Sequence, residues 1–114
     1  MISRADFVFT IGYEGDVAVV DGTLKKRFGS LSTEQLVDRG LFKQALCSAI
    51  YEQAMSGGGH AAETPAAGET PPALQRVLEA YNQATDRRVA TVEQLKRLFG
   101  VFEVPDRVAR VLVI

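Results

Sequence analysis

The sequence predicts an α+β fold: an N-terminal β-hairpin packed against amphipathic helices, with a C-terminal helical pair and an internal flexible loop. Three observations carry that prediction. Large apolar residues alternate with period two from Phe7 to Tyr13, several later stretches carry apolar residues at helical spacing, and a Gly/Pro/Ala-rich run at 57–72 separates the helical stretches.

Phe7, Phe9, Ile11 and Tyr13 share one face of an extended chain, the pattern of a half-buried strand. Glu14-Gly15-Asp16 supplies turn chemistry, and Val17-Ala18-Val19-Val20 is a short β-branched run closed by Asp21-Gly22. Residues 7–20 therefore read as a hairpin with a three-residue connection. Two strands alone are marginal, so helices or further strands must cover the pair. Thr23 to Gly29 is a basic connector with room for a short helical turn ended by Gly29.

Ser32-Thr33-Glu34-Gln35 is a capping-box pattern, starting a short helix that Gly40 ends or bends. Phe42, Ala45, Leu46, Ala49 and Ile50 then repeat at i, i+3, i+4, i+7 and i+8, the best helix in the chain, with an apolar stripe to lay on the hairpin. The run at 57–72 holds four Gly and three Pro and offers too little apolar surface to order itself, so it reads as a linker. Beyond it, Pro71-Pro72 opens a helix in which Leu74, Val77, Leu78, Tyr81 and Ala84 share a face, closed near Thr85-Asp86. Thr91-Val92-Glu93-Gln94 is a second capping box, introducing a helix with Val92, Leu95, Leu98 and Phe99 inward and Gly100 as its stop. The tail is ambiguous by pattern: Val111 to Ile114 has the β-branched density of a strand, but Pro105-Asp106 is a good helix start that would place Arg107 and Arg110 in solvent. The expectation adopted is helix.

Composition excludes several classes of function. The 114 residues, 46% apolar and 24% charged, suit one small soluble domain at 1–114 interrupted by the 57–72 loop. Thirteen basic residues against fourteen acidic ones remove the charge imbalance of a polyanion or membrane-surface binder, although the part after the loop is mildly positive. One Cys and one His cannot build a disulfide framework or a four-ligand Cys/His zinc site. The first residues show no secretory pattern, and no run approaches about 18 apolar residues. A cytoplasmic protein with no membrane, metal or cofactor partner is expected.

The local motifs have plain structural readings. Gly12-Tyr13-Glu14-Gly15 has the GxxG form that clamps a nucleic-acid backbone when it joins two helices, but here it joins two strands and carries acidic neighbours, so it reads as a turn. Glu14, Asp16 and Asp21 are carboxylates of turns, and the strand between them keeps Asp21 from sharing an ion with the other two. Cys47 has no His in an ordered segment to act as its base, and His60 sits among glycines where no catalytic geometry is held. No catalytic set is found, so the chain is expected not to be an enzyme.

Two functions remain. The first is a small interaction or assembly module, a homo-oligomer or a binder of another protein, using the apolar end Val111, Leu112, Val113 and Ile114. The alternative is a nucleic-acid-binding regulator resembling a helix-turn-helix over residues 91–112, with Gly100 in the turn and Arg107 and Arg110 facing phosphate or bases.

Overall fold

A computed structural model describes residues 2–56, 72–101, 103–105 and 108–114. His60, Asp106, Arg107 and the 57–72 linker, apart from Pro72, lie outside the described residues. The architecture is α+β, with a three-stranded sheet and six helices among the described residues.

The chain begins with a helical turn where a strand was expected. Ser3 caps α1 (Arg4–Val8) by accepting from the Asp6 N–H, and Asp6 places its charge in the first turn. Phe7, Val8 and Phe9 are all buried, which an alternating strand does not allow. The period-two pattern from Phe7 is thus half helix, and the hairpin starts three residues later. Its strands are β1 (Thr10–Glu14) and β2 (Val17–Val20), paired antiparallel.

Glu14 pairs with Val17, so the connection is the two residues Gly15 and Asp16, one fewer than expected. Gly15 carries φ +61, the left-handed geometry that a tight hairpin turn needs at its first position. The register slips between Thr10 and Gly12, leaving Ile11 as an extra residue in a β-bulge. Ile11 and Tyr13, expected on the core face, are consequently half-exposed.

Asp21 then caps α2 (Gly22–Phe28) through the Leu24 N–H at 3.1 Å, so the Asp-Gly pair read as a strand stop is also a helix start. The helix α3 (Thr33–Asp38) carries the predicted capping box in full: Ser32 Oγ accepts from the Gln35 N–H and Gln35 Oε1 from the Ser32 N–H. Gly40, at φ +75, lets Leu41 N–H reach the Leu36 carbonyl and Gly40 N–H the Val37 carbonyl, both at 3.0 Å, which ends α3 as predicted.

The centre of the molecule is α4 (Phe42–Ser56). Instead of one buried stripe it buries six successive residues, Ala45 to Ile50, because α1, α3 and α5 (Pro72–Thr85) all pack around it. Ala45 and Ala49 let the neighbours approach closely. Leu74, Val77, Leu78 and Tyr81 are buried as predicted on α5, whereas Ala84 is exposed. Asp86 at φ +55 terminates that helix, and the Asn82 side chain clasps Val89 by donating to its carbonyl and accepting from its N–H.

The last helix, α6 (Val92–Phe99), buries Val92 and Leu95 but leaves Leu98 exposed, contrary to expectation. Phe99 meets Tyr81 edge to face at 5.4 Å, and Tyr81 meets Phe42 at 5.5 Å, joining α4, α5 and α6 through aromatic rings. Gly100 closes the helix at φ +70.

The tail is a strand, β3 (Arg110–Val113), which overturns the helix expected there. It runs parallel to β2, with Val17 opposite Arg110 and Val20 opposite Val113. Four successive apolar residues have no helical sidedness, and β-branched side chains fit a pleated surface better.

Candidate functional site

The sheet order is β1-β2-β3, so β3 is an edge. Its register tells which backbone groups face outward. Ile114 N–H donates to the Val20 carbonyl, and the Ile114 carbonyl accepts from Gly22 N–H, both at 3.0 Å. Residue 114 thus turns its backbone toward β2, and by the two-residue repeat so do Leu112 and Arg110. The N–H and C=O of Val111 and Val113 point away from the sheet.

The side chains of β3 are equally uncovered. Ala18 and Val20, which share a sheet face with Val111 and Val113, are 0% exposed beneath the helices. Their β3 partners are not: Val111 is 36% and Val113 51% exposed. The helical layer reaches across β2 and stops. On the opposite face, Leu112 at 53% lies beside half-buried Val19, and Ile114 follows at 65%. All four residues of β3 are exposed, Arg110 and three apolar side chains, so the strand is an overhanging edge uncovered on both faces.

One close contact holds the end of this strand. Gly22 has no Cβ, and one built there would lie 2.7 Å from both the Ile114 carbonyl oxygen and Val113 Cγ1. The first residue of α2 is therefore a seat for the end of β3, a role that its place after Asp21 in the sequence did not reveal.

Among the described residues the helix-turn-helix layout does not form. Arg110 is a residue of β3, and the stretch that would hold a recognition helix is strand at 110–113. Arg107 lies outside the described residues. The GxxG stretch is hairpin, with Gly12 in β1 and Gly15 in its turn.

Two further clusters stand apart from the edge. Arg4 Nη2 donates to the Leu31 carbonyl at 2.7 Å and to Ser48 Oγ at 2.6 Å, and Ser48 and Thr33 hydroxyls meet at 2.8 Å. Both hydroxyls also reach Glu52, so the network ties α1, α3 and α4 together around a Ser48 that is fully buried. The second is a cavity of about 310 Å³ at the β1 edge, lined by Tyr13, Lys43 and Cys47 among others. Burial pushes the Cys47 thiol up to about 12, with Lys43 acting weakly in the opposite direction. Burial also raises the Tyr13 hydroxyl above its usual range, partly offset by Thr10. A thiol that is 2% exposed and protonated at neutral pH is a packing residue, the role expected from its sequence surroundings.

Among the described residues no group of three or more His, Cys, Asp and Glu could hold a metal ion, and no helix is long and apolar enough to cross a membrane. Comparison of the chain with protein families, with curated proteins and with solved structures finds no match.

Proposed function

We propose that the protein is a small interaction module that acts by binding and associates with itself through the edge of β3. The observation that supports this reading is the overhang. A strand whose neighbour is fully covered on one face, at Ala18 and Val20, stands uncovered on both, with outward backbone groups along its outer side.

A second copy fits this edge by symmetry. When two β3 strands meet antiparallel about a two-fold axis at Leu112, Val111 of each stands opposite Val113 of the other. Both residues present outward backbone groups, so each opposed pair exchanges two hydrogen bonds. The two sheets become one six-stranded sheet, and Leu112 meets its own copy on the open face. A surface that pairs with itself in this way needs no other partner, which favours self-association over a foreign strand.

Sedimentation velocity over a wide concentration range tests the proposal. A dimer that Leu112→Lys converts to a monomer of unchanged helix content supports it, since a charge on an edge strand blocks pairing without touching the core. A strict monomer at every concentration overturns it.

A further inference from the structure

The cavity at the β1 edge lies on the side of the sheet away from β3. The bulge at Ile11 and the half-exposed Tyr13 border it, and Lys43 and Cys47 of α4 with Gly100, Val101, Glu103 and Pro105 complete it. Phe7, Ile11, Val101 and Pro105 give it apolar walls. Its volume of about 310 Å³ falls at the small end of the range that holds small molecules. A bulge that turns two large side chains away from the core beside such a hollow is the kind found where a strand is re-aimed at a ligand.

Among the described residues two charged ones line the hollow, Lys43 from α4 and Glu103 from beyond α6. Among the described residues neither takes part in an ion pair, with the other or with any third group. Lys43 is half-buried, so part of its hydration is already lost without an anion in return. One cation and one anion, unpaired, beside apolar walls are complementary to a small molecule that carries both charges on an apolar body.

We infer that this cavity binds a small zwitterion with an apolar side group, of the class of the aromatic and branched-chain α-amino acids, with Lys43 taking the carboxylate and Glu103 the ammonium. The Tyr13 ring provides a flat wall for the side group. The inference is independent of self-association, because the cavity and β3 occupy opposite edges of the sheet.

A titration of the full chain followed by nuclear magnetic resonance tests it, using L-phenylalanine and L-leucine as probes and phenylacetate and phenethylamine as their single-charge counterparts. Saturable shifts are expected at Tyr13, Lys43 and Val101, with L-phenylalanine bound more tightly than either single-charge compound. Lys43→Met should weaken L-phenylalanine by about tenfold or more while leaving phenethylamine within about twofold, and Glu103→Gln should spare phenylacetate in the same way. Both side chains lie outside the core, and unchanged circular dichroism of the variants verifies their fold. Absence of saturable shifts at millimolar concentrations overturns the inference. So does phenylacetate binding as tightly as L-phenylalanine, or a Lys43→Met protein of unchanged affinity.

Discussion

Replacing Gly22 by Ala separates the role of β3 from ordinary helix energetics, because the two predict opposite signs. Gly22 is the first residue of α2, and its backbone lies outside the left-handed region. On helix propensity alone Ala is favoured there, by up to about 1 kcal/mol. The new methyl group, however, would sit 2.7 Å from the Ile114 carbonyl oxygen and 2.7 Å from Val113 Cγ1. The valine methyl can rotate away. The carbonyl is backbone, and it also accepts the Gly22 N–H at 3.0 Å, so the end of β3 must move and weaken that bond.

Overpacking of this kind costs about 1–3 kcal/mol and a lost hydrogen bond about 0.5–1.5 kcal/mol. Set against the helix gain, Gly22→Ala should destabilise by about 1–3 kcal/mol. Two measurements check it. The urea midpoint should fall, and the Ile114 amide, which donates to Val20, should exchange faster with solvent while the amides of α4 exchange only through global unfolding. A midpoint that is unchanged or raised, with Ile114 exchange unaltered, would refute the claim that Gly22 seats β3.

Other outcomes follow from the same geometry. Ser48→Ala leaves Arg4 and Thr33 short of a buried partner and should cost about 1–3 kcal/mol by urea denaturation, whereas Ser30→Ala, outside that network, should change little. Gly40→Ala forces a side chain into φ +75 at the end of α3 and should cost about 1–2 kcal/mol in the same assay. For Cys47, burial holds the folded thiol at about 12 against an ordinary value of 9.0, so between those values the unfolded chain releases a proton that the folded chain keeps. That contribution is complete below 9 and declines above it by about 1.4 kcal/mol per pH unit until the folded thiol itself ionises. Urea midpoints of the wild type and Cys47→Ala at about pH 8 and about pH 10 should therefore converge with rising pH, and parallel midpoints would exclude the effect.

What the sequence made legible were the elements whose signals are local. Ser32 with Gln35, the Thr91 cap on Gln94 N–H, and the stops at Gly40 and Gly100 are each decided within four or five residues and stand where the pattern placed them. The exception is the Gln94 side chain, which accepts from Ala90 N–H rather than Thr91 N–H, so the second capping box is only half made. The misreadings share one cause, a pattern that two structures satisfy equally well until a distant partner decides. Phe7 and Phe9 fit an alternating strand, but α1 is packed against both α4 and β2 with Phe7, Val8 and Phe9 all buried, and a helical turn started by Ser3 satisfies that burial better. Cys47 and Ser48 fell off the expected stripe of α4 for the same reason, since packing on three sides removes the distinction between faces. The cavity was invisible because its walls come from β1, α4 and the stretch after Gly100, and the bulge that turns Ile11 toward it has no signature in Thr10-Ile11-Gly12.

The candidate edge shows the same division most clearly. Val111 to Ile114 was singled out for its apolar exposure, and that exposure is present, but its conformation was set by Val17 to Val20 some ninety residues earlier. A parallel pair cannot close through a tight turn, so everything from α2 to α6 serves as the crossover between β2 and β3. Loop closure over that length is costly before any pairing energy is gained. Docking of β3 must then lean on contacts beyond its hydrogen bonds to β2, and the helical layer, which ends over Ala18 and Val20, provides few. The seat at Gly22 supplies one such contact, and the outer edge at Val111 and Val113 leaves room for the other. A strand held by a single neighbour and a single glycine seat gains most from a second strand on its free side. Self-association and the sensitivity to Gly22→Ala are thus two consequences of the same weakly held edge, and a dimer should show a smaller loss of Ile114 protection on Gly22→Ala than the Leu112→Lys monomer carrying the same change.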